Sequence, residues 1–344
     1  MTPFISIIIP CRNEIAFIDR CLDSVLASDL PIGSYELLIV DGMSDDGTRD
    51  VVRSRAAGSS AIRLVDNPAR IVPTAMNLGI AAAKGATIVR LDAHCEYPAN
   101  YVSALVRWLD ESGADNVGGL CRTRPANDTA VAHAIAIGVS HPFGVGNSYF
   151  RIGVTEPRWV DTVPFGCYRR AVFERIGLFD EDLVRNQDDE FNARLVNAGG
   201  RILLVPDVVS DYFARGTLRH LWRMYFEYGL FKPLVARKLG RVMTVRQLVP
   251  ALFVAGLVFG GLGAWLLPML RLPFALVLAA YAGADVWFAL RAARTERVAC
   301  RAWLLLVFPL LHVAYGVGFL MGLGRFVLRT PRVDARTRAL TPSR

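Results

Sequence analysis

Four short polar runs carry the side chains with chemistry to offer. They are Pro10-Cys11-Arg12-Asn13-Glu14, Val40-Asp41-Gly42 with Ser44-Asp45-Asp46-Gly47-Thr48, Leu91-Asp92-Ala93-His94, and Asn186-Gln187-Asp188-Asp189-Glu190-Phe191. Carboxylates and an imidazole gathered in such runs can hold a cation or take up a proton. Singly, each acid is as often a helix cap as a reactive group. Alternate residues of an extended segment face the same way, so Asp92 and His94 share a side. The order in which the runs recur is the stronger signal, because it is set by the elements that carry them.

Those elements alternate. Phe4–Ile9 reads as a buried strand, followed by Ile15, Ile18, Cys21, Leu22, Val25 and Leu26 at helical spacing. Tyr35–Val40, Ile62–Val65, Thr87–Leu91 and Arg201–Val205 read as further strands. Helices are expected after Thr48, from Pro73 to Lys84 with Gly85 as the stop, and from Gln187 to Gly199-Gly200. A β-α-β-α order implies an α/β fold with a mostly parallel sheet covered on both faces. Ligands of such sheets bind outside the carboxyl ends of the strands, which is where Asp41 and Asp92 fall.

Taken jointly and in this order, the runs resemble the nucleotide-sugar-binding half of family 2 glycosyltransferases of the GT-A fold. The likeness continues through Gly166-Cys167-Tyr168-Arg169-Arg170 and Arg194-Leu195 with Gly199-Gly200, and covers residues 4–212. The runs from Val160 to Gly166, Ile176 to Asp180 and Arg185 to Phe191 are similar to the ExoA-type succinoglycan glucosyltransferases, which are membrane-attached. The resemblance implies that Pro10, Arg12 and Glu14 line a nucleotide pocket and that Asp41 accepts a hydrogen bond from the uracil N–H. It also implies that Asn77 lies near the nucleotide or diphosphate, and that Asp188 is the catalytic base. The chain has no Gly-rich phosphate loop, so a divalent metal, Mn2+ or Mg2+, is expected to carry much of the diphosphate charge on Asp92 and His94. Where the family has Asp-x-Asp this chain has Asp-x-His, and carboxylate plus imidazole suits Mn2+ better than Mg2+. Gln187 replaces the family's usual Glu and leaves the base itself in place. Trp159 and Asp161 are acceptor-side candidates, Asp189 and Glu190 read as helix-capping acids, and His141, His220 and His312 read as structural.

Charge divides the chain. Residues 1–240 hold 26 Lys and Arg against 28 Asp and Glu, whereas residues 241–344 hold 13 Arg against three acids. The arginines bracket apolar runs at Leu248–Leu270, Leu272–Leu290 and Ala302–Gly324, which points to a lipid bilayer and not to nucleic acid. Thr217–Lys238 mixes aromatic and basic residues as a helix at a headgroup layer does. Pro309 and the glycines at 316, 318, 322 and 324 offer places where the third run could break. Six scattered cysteines without a C-x-x-C pair read as reduced, and the N-terminus lacks a signal-peptide pattern.

The expected organisation is a GT-A domain over 1–215, an amphipathic interfacial segment over 216–244, a membrane domain of two to three spans over 245–328, and a basic tail over 329–344. The expected activity is that of an inverting, metal-dependent hexosyltransferase. It would move glucose from UDP-glucose onto a polyprenyl-diphosphate-linked saccharide at the cytoplasmic face of the inner membrane, for an exopolysaccharide. Two rivals are a processive polysaccharide synthase, against which stands the absence of a Gln-x-x-Arg-Trp motif, and a non-catalytic membrane scaffold, against which stand Asp92, His94 and Asp188.

Overall fold

The computed structural model describes residues 4–31, 33–241, 244–294 and 298–328. The expected basic tail lies outside them. In chain order the elements are β1 (Ile5–Cys11), α1 (Ile18–Leu26), β2 (Tyr35–Asp41), α2 (Thr48–Gly58), β3 (Ile62–Asp66), α3 (Val72–Ala82), β4 (Thr87–Arg90), β5 (Cys95–Glu96), α4 (Tyr101–Ser112) and β6 (Asn116–Arg124). There follow α5 (Ala130–Gly138), α6 (Pro142–Val145), α7 (Tyr149–Ile152), β7 (Arg158–Val160), β8 (Cys167–Arg169), α8 (Arg170–Ile176), α9 (Gln187–Asn197) and β9 (Ile202–Phe213). Four long helices close the described chain: α10 (Leu218–Leu239), α11 (Val249–Leu266), α12 (Arg271–Ala292) and α13 (Val298–Phe326).

Contacts group these elements into two units. The first comprises residues 1–122 and 153–212 and the second residues 123–152 and 213–331. Residues 123–152 thus join the C-terminal helices, although an N-terminal domain reaching to 215 would include them.

The first unit holds a mixed sheet in the order β3-β2-β1-β4-β8-β6-β9-β5, with β7 on β9. Its β3-β2-β1-β4 part is parallel, and β8 joins β4 and β6 antiparallel. Ile7, Ile8, Ile9, Leu37, Leu38, Ile39 and Val89 are fully buried, as strands covered on both faces require. Chain order runs outward from β1 to β3 and then restarts with β4 on the other side of β1. That reversal opens a crevice beyond the carboxyl ends of β1 and β4. The β1–β4 ladder ends there. Its registered pairs stop at Ile8↔Arg90, and Pro10, two residues on, has no N–H to extend it.

The second unit contains three helices long and apolar enough to cross a membrane, Val245–Leu266, Pro268–Ala292 and Ala299–Phe326. Leu252, Phe259 and Trp265 of α11 and Leu272 and Trp287 of α12 are exposed, whereas Leu304, Val307, Phe308 and Leu311 of α13 are buried. The third run is one unbroken helix with Pro309 inside it. Gly316, Gly318 and Gly322 lie against neighbouring backbone, whereas Gly324 faces open space. A Cβ at Gly318 would lie 2.1 Å from the Phe226 carbonyl oxygen, and one at Gly322 2.1 Å from that of Leu230. Small residues four apart let the backbones of α10 and α13 touch. Helix α10 is accordingly buried by protein from Gly229 to Val235, so its middle has no free face to lay on headgroups.

The three isolated histidines are engaged within this unit. His312 contacts the Tyr281 hydroxyl at 2.7 Å and the Phe143 carbonyl oxygen at 2.7 Å. His141 packs between Phe288 and Phe308, and His220 contacts Thr217 at the start of α10.

Candidate active site

The loop after β1 is pinned by the loop after β2. Asn13 adopts a left-handed conformation with φ 52, which asparagine tolerates better than most residues. The backbone N–H groups of Asn13, Glu14 and Ile15 donate to Ser44 Oγ at 2.8 Å, Thr48 Oγ1 at 2.9 Å and Asp46 Oδ2 at 3.1 Å. The run Ser44–Thr48 is therefore a cradle for residues 13–15. Burial alone would raise the Asp46 pKa, but hydrogen bonds from Thr48 and Ile15 outweigh it and hold this carboxyl below its ordinary value.

Asp41 is fully buried at the end of β2. It accepts from Ser44 N–H at 2.9 Å, Ser44 Oγ at 2.5 Å and Arg49 at 2.6 Å. Three of roughly four lone-pair sites on the carboxylate are thus taken inside the protein. Arg12 packs its aliphatic stem on Gly42, where a Cβ would approach to 3.1 Å. Its buried Nε has no partner.

At the end of β4 the backbone of Asp92 is held from both directions by Tyr97, whose hydroxyl accepts from Asp92 N–H at 2.7 Å and donates to Asp92 O at 3.1 Å. The two carboxylate oxygens then diverge. Oδ1 lies 3.8 Å from Arg90 Nη2 and Oδ2 lies 4.0 Å from His94 Nε2. His94 Nδ1 lies 3.4 Å from Glu14 Oε1, and its ring meets Tyr212 edge-on at 5.2 Å. With Nδ1 turned to a carboxylate, Nε2 is the nitrogen left to face Asp92, the arrangement by which a second carboxylate orients a metal-binding histidine. The 4.0 Å gap is about twice a metal–ligand bond of ~2.1 Å. Among the described residues no group of three such side chains surrounds one point. Asp92 and His94 therefore fit a two-ligand site whose remaining positions would come from a ligand's oxygens.

Asn186 precedes helix α9 as its N-cap, left-handed with φ 60. This turn sets Asp188, Asp189 and Glu190 in the first helical turn, where the helix dipole favours negative charge. Glu190 is buried and paired with Arg194 at 2.9 Å, and Arg194 also donates to the carbonyls of Ile176 and Leu178. That acid holds structure. Asp188 differs: Arg90 Nη1 donates to its Oδ1, and 26% of its side chain remains exposed. Burial raises the Asp188 pKa most, Asp92 and Asp189 add to it, Arg90 opposes, and the result is about 6. A carboxylate within reach of solvent and titrating near neutrality has the properties of a general base.

Two expected residues are engaged by other parts of the chain. Asn77 donates to Phe179 O at 2.9 Å and Glu181 Oε1 at 2.9 Å and accepts from Phe179 N–H at 3.0 Å. Its amide ties α3 to the 177–181 loop. Trp159 lies on β7, four strands from β4, a lateral offset of ~19 Å at the usual strand spacing. Arg201 covers its ring at 4.6 Å. It is not among the groups brought to the β1–β4 crevice. Asp161 is half-buried in the loop between β7 and β8.

Arg90 and Tyr97 escaped the sequence reading. For Arg90 a signal existed: an arginine ending an apolar strand two positions before Asp92 shares its side. Nothing local marks Tyr97.

A family description, glycosyl transferase family 2, matches residues 6–177. The chain is 32% identical over 286 residues to the succinoglycan biosynthesis protein ExoA of Rhizobium meliloti (strain 1021), covering 83% of this chain and 85% of that one. It is also 32% identical over 244 residues to a dolichyl N-acetyl-alpha-D-glucosaminyl phosphate 3-beta-D-2,3-diacetamido-2,3-dideoxy-beta-D-glucuronosyltransferase of Methanococcus voltae, covering 68% and 74%. Among solved structures, the mannosyltransferase PcManGT from Pyrobaculum calidifontis, in complex with GDP-Man and Mn2+, aligns with a TM-score of 0.62 at 20% identity, over 94% of this chain and 88% of that one. The reversal of strand order at β1, the acids set around it and these matches make the chain a member of glycosyltransferase family 2, built on the GT-A fold.

Proposed function

We propose that the chain is an inverting, metal-dependent hexosyltransferase that moves glucose from UDP-glucose onto a polyprenyl-diphosphate-linked saccharide at the cytoplasmic face of the inner membrane, in exopolysaccharide biosynthesis. Asp188 carries this reading, as a partly exposed carboxylate with a pKa of about 6, joined through Arg90 to Asp92. It takes the proton of the acceptor hydroxyl as that oxygen attacks C1. The bond from C1 to the diphosphate oxygen breaks on the opposite side, and its electron pair leaves with UDP. Pro10, Arg12 and Glu14 flank the nucleotide, and Asp41 offers its remaining lone pair to the uracil N–H. A divalent metal on Asp92 and His94 would supply Lewis-acid neutralisation of the leaving diphosphate.

The names of the relatives support a saccharide-building role. The R. meliloti protein is named for succinoglycan biosynthesis, and the M. voltae protein for a dolichyl-phosphate-linked sugar. PcManGT holds a nucleotide sugar and Mn2+. Membranes containing the protein, supplied in turn with radiolabelled UDP-sugars and a lipid-linked acceptor, should release UDP and carry one labelled sugar per acceptor into the lipid fraction, most with UDP-glucose. Long labelled polymer would instead mean a processive synthase. No UDP release with any donor would sink the transferase reading.

The three apolar helices support a reading of three crossings, with Arg237, Lys238, Arg241 and Arg246 on the cytoplasmic side. Alkaline phosphatase fused at residue 344 should then be active. Fluorescence from a cytoplasm-only reporter fused there would leave two crossings and return the tail to the inside.

A further inference from the structure

The buried arginine at the end of β4 is unused by the reaction as described. Arg90 has 6% of its side chain exposed, in a strand whose Ile88 and Val89 are fully buried. Its main chain is fixed, with the N–H donating to Gly166 O at 2.9 Å. The guanidinium forks. Nη1 holds Asp188 Oδ1, and Nη2 lies 3.8 Å from Asp92 Oδ1. Nε is buried without a partner. A buried cation is costly unless its partners repay the loss of water, and here they are two carboxylates 96 positions apart, delivered by different elements. Without a cation between them, two acids in one low-dielectric neighbourhood repel, and one turns away or takes up a proton. Only a planar fork reaches both at once; a lysine ammonium of shorter reach serves one.

We propose that Arg90 is a positioning residue for transfer, its guanidinium clamping Asp188 on α9 to Asp92 after β4 so that the proton acceptor is held at a set place relative to the donor's diphosphate. This rests on Asp188 acting as the base and Asp92 lying on the donor side. Arg90 is too deeply buried to serve as a donor contact itself. Its effect is expected on the rate of the bound complex and not on donor binding. The unpaired Nε belongs to the same picture: of the terminal nitrogens, Nη1 bonds Asp188 and Nη2 stands at ion-pair distance from Asp92.

The test compares Arg90→Lys and Arg90→Ala with wild type in membranes, at saturating acceptor. For Arg90→Lys, kcat is expected to fall at least ~10-fold, and for Arg90→Ala ~100-fold or more, within the span that general-base catalysis contributes. The donor KM and the affinity for UDP should stay within about threefold for both. Guanidinium ion at millimolar concentration should restore activity to Arg90→Ala and leave wild type unchanged, which repair of mere packing would not do. Should Arg90→Ala fail to accumulate, the split between kcat and KM in Arg90→Lys decides alone. Full activity of either variant, or a donor KM rising in step with the loss, overturns the proposal. An inactive wild type would instead count against the transferase reading on which it rests.

Discussion

Asp188→Asn is expected to lower kcat by ~10²–10⁴, the contribution of a positioned base, while UDP affinity stays within about threefold. The asparagine keeps the shape and the place at the start of α9 and loses only the ability to take a proton. Equal losses of rate and UDP binding would assign Asp188 to the nucleotide pocket or to the fold. The same carboxyl sets an acid limit on the wild type. Its pKa of about 6 means that kcat should fall about tenfold per pH unit below that value and level off above it. For stability the sign is opposite. A carboxyl whose pKa is raised in the folded state contributes stability that is complete below the unfolded value and lost as pH rises through about 6. Activity lost at pH 5 should therefore return on neutralisation, with tryptophan fluorescence unchanged throughout, and the limb should be absent from the residual rate of Asp188→Asn.

Asp92→Ala is expected to abolish metal-dependent binding of UDP, and His94→Ala to weaken it, both read by calorimetry with and without Mn2+. The geometry makes the two unequal. Asp92 Oδ2 would be the charged ligand, whereas His94 presents one nitrogen oriented by Glu14. His94→Asp should keep activity and shift preference towards Mg2+, since an all-oxygen pair suits the harder ion. Full activity in excess EDTA would remove the metal from the mechanism.

What could be read from the chain, and what could not, divides along physical lines. β1, β2 and β4 are mostly apolar runs closed by polar residues, and the closing residues are where the crevice opens. The start of α9 was equally plain, because Asn186 and three successive acids have few other uses. β5, β7 and β8 hold two or three residues each. They exist through antiparallel partners far along the chain, and so carry no periodicity of their own. The bonds of Asn77 could not be read for a related reason. Its partners Phe179 and Glu181 lie about a hundred positions away, and an amide in a helix announces nothing about what it will meet. In the third apolar run, Pro309 and the glycines read as weak points. Only the neighbouring carbonyls of Phe226 and Leu230 reveal Gly318 and Gly322 as the positions where two backbones must touch.

The excursion of residues 123–152 has a consequence for how this enzyme could be divided. Within the described residues the polypeptide passes between the two units three times, after residues 122, 152 and 212. Cutting it at the last passage would not free a water-soluble catalyst. The N-terminal fragment would keep α5 to α7, and with them Phe143, which stacks on Phe288 and packs edge-on against Phe308, and Gly138, where a Cβ would fall 2.4 Å from Val307. Both fragments would carry unmatched halves of one apolar surface. The long apolar helices are woven into the chain and not appended to it, so a shed or truncated form would need the loop from 123 to 152 replaced as well as the helices removed.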